Sequence, residues 1–327
     1  MAYSKEVLQR ARQRLESAKA DRESENRQRL QKAYEQLPRL KEIDLQLRRS
    51  MSLAAQTVFS QGGDARLAME EVRNANLALQ RERQELIDAH YAAGYLDEAP
   101  ICDKCGGSGY IGSAMCSCLR DLCRQEQKKE LSLLACGNAE FESFRLDYYS
   151  DQIDRNLGVS PRTIMEMNWN ACRKYAYSFG AGSGNLLFSG NTGLGKTFLS
   201  ACIANVVADR GYSVVYESAH NLFSKLEKDR FHPDQDSRAQ VEKIAQCDLL
   251  ILDDLGTELP GSFVTSALYT LINDRLLSGK PMIISTNFAV TELAKRYSPQ
   301  IASRLQGDFQ VRIFMSEDIR VMKNRGY

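Results

Sequence analysis

The stretch Gly190-Asn191-Thr192-Gly193-Leu194-Gly195-Lys196-Thr197 decides the fold of this chain. It fits the pattern G-x-x-x-x-G-K-[ST], a loop whose glycines let backbone N–H groups surround nucleotide phosphates. The apolar run 185–189 before it predicts a buried strand, and the run 198–207 after it predicts a helix. We therefore expect ATP to contact residues 190–198, of which Phe198 is the last. Lys196 would bind the β- and γ-phosphates, and the Thr197 hydroxyl would bind Mg²⁺. A chance glycine turn before a helix is the alternative.

A second apolar run, 249–252, ends in the carboxylates Asp253 and Asp254. Continuous apolar sequence is typical of a strand that is buried on both faces of a parallel sheet. We expect this strand to carry Asp253 to the end of the sheet near the phosphates, where it holds Mg²⁺ through its water shell. Asp254 is then placed to orient and deprotonate the attacking water.

Two more polar residues follow in the same part of the chain. Asn287 closes the apolar strand 281–287, where it either presents an amide near the γ-phosphate or only forms a turn. Arg304 lies in a short predicted helix and is either a surface arginine or a finger that reaches the nucleotide of a neighbouring subunit. From about residue 140 onward, alternating strands and helices predict an α/β domain with a parallel sheet.

The first hundred residues are different in character. Residues 4 to about 90 are rich in strong helix formers and are interrupted by Pro38 and the pair Gly62-Gly63. They predict three helices, over 4–36, 39–60 and 64–92. Two interpretations remain open, a helical hairpin packed on itself and a docking module for another protein.

Four of the nine cysteines, Cys102, Cys105, Cys116 and Cys118, form a C-x₂-C pair and a C-x-C pair that are joined by a short predicted hairpin. Four thiolates at this spacing are typical of a structural Zn²⁺ site with no open position. The metal would supply folding energy to a segment too short for an apolar core. Cys123 is an alternative fourth ligand, and a redox pair or reduced thiols are the other interpretations.

The overall charge indicates no partner, because 43 Lys and Arg nearly balance 42 Asp and Glu. No run approaches the roughly 18 apolar residues that a membrane span requires. The first residues also lack the apolar core of a signal peptide. We expect a cytoplasmic protein with no membrane partner.

The chain resembles the replicative helicase loaders of bacteria and phages, of the DnaC/DnaI type, within the AAA+ ATPases. The resemblance covers about 140–327 and rests on NLLFSGNTGLGKTFLSACIA, LLILDDLGTE, INDRLLSGKPMIISTN, IASRLQGDF and SEDIRVMKNR. The cysteine segment also resembles that of phage-type members. The resemblance gives Lys196 the Walker A role and Asn287 the sensor 1 role, and it makes Arg304 a finger acting on a neighbouring subunit. Arg320 is the candidate sensor 2 arginine.

The resemblance implies an ATP-dependent loader that places the replicative hexameric helicase on single-stranded DNA during replication initiation. Its ATP hydrolysis would be weak or stimulated by partners, at a site completed between self-assembled subunits, with ATP, Mg²⁺ and Zn²⁺ as cofactors. The helicase would be gripped by the N-terminal region. Lys225, Lys228 and Arg230 lie where related initiators carry a DNA-facing helix, so they are candidate contacts to single-stranded DNA.

Two other functions remain open, a transposition helper ATPase of the IstB type and a nucleotide-gated adaptor with little hydrolysis. The predicted fold is α/β, an AAA+ P-loop ATPase domain with a parallel sheet, preceded by an α-helical N-terminal region and a small zinc-binding segment. The predicted domains are a partner-binding region at 1–95, a zinc knuckle at 96–125, a linker at 126–139 and the ATPase domain at 140–327.

Overall fold

The computed structural model describes residues 3–60, 65–132, 139–155, 158–316 and 318–319. The chain divides into two compact units. The large unit contains Met1–Arg12 and Ser117–Tyr327, and the helical unit contains Gln13–Cys116. In the described part of the chain, no helix is both long enough and apolar enough to cross a membrane.

Three long helices begin the chain, α1 (Lys5–Gln36), α2 (Pro38–Ser60) and α3 (Ala65–His90). They confirm the three predicted helices to within two residues at each end. Within the helical unit, α2 packs against α3, and the buried side chains of Ala33, Leu40 and Ile87 form a small core. Arg39 adds an ion pair to Glu82 across the two helices, at 2.7 Å. The predicted helical hairpin is therefore present; the pair Gly62-Gly63 lies outside the described residues.

A short antiparallel hairpin of β1 (Tyr110–Ile111) and β2 (Ala114–Met115) follows, with Tyr110 opposite Met115. Gly112 lies between the strands with a φ of 60°, a left-handed angle that glycine adopts without a steric cost. This is the hairpin predicted between the two cysteine pairs.

The rest of the large unit begins with one helix and two 3₁₀ turns at Phe141–Ser143 and Leu146–Tyr148, after which strands and helices alternate. Its helices are α4 (Ser117–Ser132), α5 (Pro161–Ser178), α6 (Lys196–Asp209), α7 (Ala219–Phe231), α8 (Gln235–Gln246), α9 (Ser262–Leu277), α10 (Val290–Arg296) and α11 (Pro299–Gly307). Its strands are β3 (Asn185–Ser189), β4 (Val214–Ser218), β5 (Leu249–Leu255), β6 (Met282–Thr286) and β7 (Phe309–Ile313).

The five strands form a parallel sheet in the order β4-β5-β6-β3-β7. Side chains alternate along each strand, so Leu186 and Phe188 enter one core cluster while Leu187 enters the other. Helices cover both faces, which explains the continuous apolar runs of β3 and β5. The predicted α/β class with a parallel sheet is confirmed.

The first helical turns of the chain pack within the large unit. Val7 and Ala11 are buried, and Arg10 forms ion pairs with Glu126 at 3.4 Å and with Glu130. The predicted boundary between 125 and 126 falls inside α4, whereas the compact units divide at 12/13 and 116/117. The functional division into a partner-binding region, a knuckle, a linker and an ATPase domain remains a prediction.

Candidate nucleotide-binding site

The phosphate loop connects β3 to α6. Its three glycines have backbone angles that favour glycine, with φ of 154° at Gly190, 75° at Gly193 and 89° at Gly195. A Cβ atom at Gly190 would also collide with the carbonyl oxygen of Phe314. The glycines are therefore required both by the backbone conformation and by the space around the loop. This geometry fits a cradle for phosphate groups.

Lys196 is the first residue of α6 and is only 4% exposed. Its Nζ atom donates hydrogen bonds to the backbone carbonyls of Gly190 at 2.6 Å and Asn191 at 2.7 Å. It also donates to the Oδ1 atom of Asn287 at 2.8 Å. These acceptors hold the ammonium beside the loop and join it to the residue that follows β6.

The acidic pair lies near the end of β5. Asp253 is buried, and its carboxylate accepts hydrogen bonds from the Tyr216 hydroxyl at 2.8 Å and from the Ser285 hydroxyl. The Tyr216 hydroxyl also lies 3.4 Å from the carbonyl oxygen of Thr197, so Asp253 is close to the first turn of α6. Asp254 is only partly buried and lines the space beside the loop.

A cavity of about 570 Å³ lies over the loop, within the range of small-ligand sites. Its walls include 192–198, Asp254 and Asn287. Gly190 and Asn191 begin the loop without lining the cavity, and Asp253 stands behind it. The structure thus brings the predicted residues of three strand ends around one space.

One wall of this cavity was missed by sequence reasoning. It is formed by Phe144, Arg145, Tyr148 and Tyr149, which lie in and beside the two 3₁₀ turns. The Tyr149 hydroxyl donates to the carbonyl oxygen of Leu194 at 3.0 Å, and burial raises the pKa of Tyr149, which keeps this donor protonated. The available signal was compositional, namely four aromatic residues between 141 and 149.

Arg304 is not part of this cavity. It is exposed on α11, and its Nη1 atom is 3.4 Å from the carboxylate of Asp308. It does not line the nucleotide cavity of its own chain. With Tyr269, Gln300 and Ser303 it lines a separate surface cavity.

The three candidate DNA contacts lie on α7, and each has a partner within the chain. Lys225 forms an ion pair with Glu217, and Lys228 forms one with Asp234 at 2.9 Å. The hydrogen bond from Lys228 lowers the pKa of Asp234 to about 2. The Arg230 guanidinium lies 5.7 Å from the ring centre of Phe231 and 5.6 Å from that of Phe263. Phe231 is 56% exposed, whereas Phe223 is buried.

The four predicted metal ligands come together, with all their Sγ atoms within 4.8 Å of one another. The Sγ atoms of Cys102 and Cys116 are 3.8 Å apart. Tetrahedral zinc with Zn–S bonds near 2.3 Å separates its sulfurs by about the same 3.8 Å. The backbone N–H of Gly109 donates to the Sγ of Cys105 at 3.3 Å. None of the eight described cysteines forms a disulfide, so all four thiols are available as ligands. Their number and spacing fit Zn²⁺.

Cys123, the alternative ligand, is not part of this cluster. It is fully buried in α4, and burial raises the pKa of its thiol to about 11. Because zinc binds the thiolate, a neutral buried thiol is a poor ligand at neutral pH. Arg320, the candidate sensor 2 arginine, lies outside the described residues.

Comparison with known proteins supports this interpretation of the site. Residues 159–302 match the family model described as IstB-like ATP binding protein. The replicative helicase loader DnaC of Escherichia coli strain K12 is 27% identical over 135 residues, which cover 41% of this chain and 55% of that protein.

Two further relatives are similar to part of the chain. The replicative helicase loader DnaI of Bacillus subtilis is 32% identical over 124 residues, covering 36% of this chain and 38% of DnaI. A putative ATP-binding protein in an insertion sequence of Mycobacterium tuberculosis is 30% identical over 105 residues, covering 32% of this chain and 41% of that protein. The matches span about half or less of each relative's length. Residues 159–302 are thus similar to the IstB-like ATP-binding proteins, and the resemblance to helicase loaders of the DnaC/DnaI type is confirmed.

Proposed function

We propose that this protein is an ATP-dependent loader of a replicative DNA helicase. The observation that carries the proposal is the convergence of Lys196, Asp254 and Asn287 on the cavity over the phosphate loop. Similarity to DnaC and DnaI, both named replicative helicase loaders, supports the choice among ATP-dependent functions. The protein would act in the cytoplasm during replication initiation.

In the proposed reaction, the loop N–H groups and Lys196 bind the phosphates, and the rings of Phe144 and Tyr148 receive the base. Asp254 orients a water and takes its proton while the water oxygen bonds to the γ-phosphorus. The bond from that phosphorus to the bridging oxygen breaks, and ADP leaves with the electron pair. Asn287 holds the γ-phosphate in place. The products are ADP and inorganic phosphate.

Mg²⁺ fits the oxygen donors at this site, the Thr197 hydroxyl and the Asp253 carboxylate. When bound, it would neutralise charge on the β- and γ-phosphates. The buried Asp253 carboxylate is oriented by Tyr216 and Ser285. Its position behind the cavity suits a contact made through the metal's water shell.

Arg304 completes the site of a neighbouring subunit in this proposal. The support is its exposure on α11 and the fact that it does not line the cavity of its own chain. Self-assembly through the ATPase domain would then make hydrolysis depend on subunit contacts.

The N-terminal helical region, 1–95, would grip the hexameric helicase, and Zn²⁺ held by the four cysteines would fix the knuckle at 96–125. Single-stranded DNA would contact Lys225, Lys228 and Arg230. The two lysines would have to exchange their carboxylate partners for DNA phosphates. Arg230 and the exposed Phe231 offer a cation and a ring to an unstacked base.

A transposition helper of the IstB type is the second candidate. The family model over 159–302 and the relative named for an insertion sequence favour it. Its target would be duplex DNA and a transposase. A nucleotide-gated adaptor with little hydrolysis is the third candidate, since Asp254 stands where many AAA+ proteins carry glutamate.

The deciding experiment is a pull-down of a bacterial replicative helicase hexamer by the full chain. It is run with ATP, ADP or no nucleotide, each with single-stranded DNA, duplex DNA or none, and with Lys196→Ala as the matched control. Helicase retention that depends on ATP and changes with single-stranded DNA supports loading. Retention of duplex DNA without helicase supports the transposition helper, and helicase binding without ATP turnover supports the adaptor.

A further inference from the structure

The pairing of β5 with β6 is irregular at the acidic pair. Its register shifts between Leu252 and Leu255. Over this interval β5 contributes Asp253 and Asp254, whereas β6 contributes only Ser285. Two residues opposite one form a β-bulge, which breaks the alternation of side chains and redirects one of them. In an unbroken strand the two carboxylates would point to opposite faces of the sheet, so the bulge allows Asp254 to line the cavity.

The backbone of Asp254 is also unusual. Among the described residues it is the one non-glycine residue with a positive φ, at 55°. Such a conformation is unfavourable for most residues other than glycine and persists where the surroundings impose it. The Asp254 N–H donates to the Ser285 hydroxyl oxygen at 2.9 Å, and the Asp254 carbonyl accepts from the Thr257 hydroxyl at 2.9 Å. Hydrogen bonds on both sides therefore fix this left-handed turn.

Ser285 connects the two acidic residues through a single hydroxyl. The residue is completely buried. Its hydroxyl hydrogen is donated to the Oδ1 atom of Asp253, and its oxygen accepts the N–H of Asp254. A serine hydroxyl has one hydrogen and two lone pairs, so both roles can be filled at once. Alanine at this position would lose both hydrogen bonds.

We propose that Ser285 is a positioning residue for ATP hydrolysis. Its hydroxyl holds the bulge that aims Asp254 at the attacking water, and it fixes the carboxylate of Asp253 for the metal. The proposal rests on the proposed ATPase function. It gives Ser285 a role that none of the motifs described above assigns to it.

The test compares Ser285→Ala and Ser285→Thr with wild type, using the full chain with single-stranded DNA and helicase present. Ser200→Ala is the matched control, because Ser200 is also completely buried but its Oγ atom has no hydrogen-bond partner among the described residues. Asp254→Asn and the double variant with Ser285→Ala complete a cycle. The measurements are kcat and KM for ATP, ATP affinity with and without Mg²⁺, and Tm.

Ser285→Ala is expected to lower kcat and the Mg²⁺-dependent gain in ATP affinity, each by about 10–100-fold, as is typical when a residue that orients a metal ligand is lost. ATP affinity without Mg²⁺ should stay near that of wild type. Ser285→Thr should keep most of kcat, since it keeps the hydroxyl, and Ser200→Ala should match wild type. In the Asp254→Asn background, Ser285→Ala should lower kcat by less than it does in the wild-type background, because the effect that passes through Asp254 is already lost.

Wild-type kcat and Mg²⁺ dependence in Ser285→Ala would overturn the proposal. So would an equal loss of ATP binding without Mg²⁺, or full additivity with Asp254→Asn. If wild type hydrolyses no ATP under any condition, the proposed ATPase function fails instead, and Mg²⁺-dependent binding still decides the role of Ser285. Should the alanine variant not fold, Ser285→Cys, with a similar size and a weaker hydrogen bond, is expected to show the same losses, and wild-type behaviour there would contradict the proposal.

Discussion

The Nζ atom of Lys196 lies 2.8 Å from the Oδ1 atom of Asn287. The contact joins the first residue of α6 to the residue after β6, so the phosphate loop and the proposed γ-phosphate contact share one hydrogen-bond network. Two carbonyls of the loop accept from the same ammonium. Binding of a nucleotide therefore requires Lys196 to exchange these acceptors for phosphate oxygens.

Lys196→Ala is expected to abolish ATP binding, because the cradle loses its only positive side chain among the residues of the loop 190–197. Asn287→Ala should bind ATP normally and lose about 100-fold in kcat, as is typical for removal of one preorganised donor. Anisotropy of a fluorescent ATP analogue and phosphate release measure the two effects. Lys174→Ala, at an exposed lysine of α5, is the control. Tight ATP binding by Lys196→Ala would contradict the assignment of the loop.

Asp254→Asn should retain ATP binding and lose hydrolysis by about 100-fold or more, as is typical when a general base is lost. Asparagine tolerates the left-handed backbone at this position, so the bulge should survive while the proton acceptor is removed. Single-turnover phosphate release is the measurement. If this variant hydrolyses ATP at the wild-type rate, another residue must be the general base.

Arg304→Ala should remove only the hydrolysis that assembly or DNA stimulates, since this arginine is exposed and away from the cavity of its own chain. The loss should reach about 10³-fold, the low end for an arginine finger. Phosphate release is measured against protein concentration, with Gln300→Ala on the same helix as the control. Equal activity of the dilute and the assembled wild-type protein would argue against a finger acting between subunits.

Purified protein should contain about one zinc ion per chain, because four thiolates form one closed site. Cys105→Ser should lose the metal and Cys123→Ala should keep it. Zinc should be released as the pH falls, since protons compete for the thiolates.

Cys123, with its pKa raised to about 11, should be alkylated slowly at pH 8 and faster as the pH approaches 11. Elemental analysis and mass spectrometry give the readouts; loss of zinc from Cys123→Ala would make Cys123 a ligand.

Gly190→Ala should destabilise the fold by about 1–3 kcal/mol, the usual cost of overpacking, and should impair ATP binding. The added Cβ would meet the carbonyl of Phe314. Gly184→Ala, just before β3, is the control, because the nearest atom to its Cβ would be 3.9 Å away. Thermal unfolding and ATP affinity measure the difference. An equal Tm for the two variants would show that the loop accommodates the added Cβ atom without loss of stability.

Much of the nucleotide site is predictable because its signals are local. The loop motif is contiguous in sequence, and the side chains of Asp254 and Asn287 follow from the rule that parallel strands end at the same edge of a sheet. The helical region is similarly local, since composition and the breaks at Pro38 and Gly62-Gly63 mark its helices.

The features that sequence reasoning missed depend on pairing between distant segments. The bulge opposite Ser285 is a property of two strands in register, and neither strand shows it alone. The wall containing Phe144 and Tyr149 becomes part of the cavity only when it packs on α6. The sequence makes Lys225 a candidate DNA contact but does not show that the fold places Glu217 beside it.

The contact of Phe314 with the phosphate loop has a consequence for synthesis of the protein. The Phe314 N–H donates to the carbonyl of Ser189 at 2.8 Å, and β7 pairs along the full length of β3. A ribosome produces β3 long before β7, and domains fold as units as the chain emerges. The contacts of Phe314 with the phosphate loop can therefore form only after Phe314 has left the ribosome, late in the synthesis of the domain.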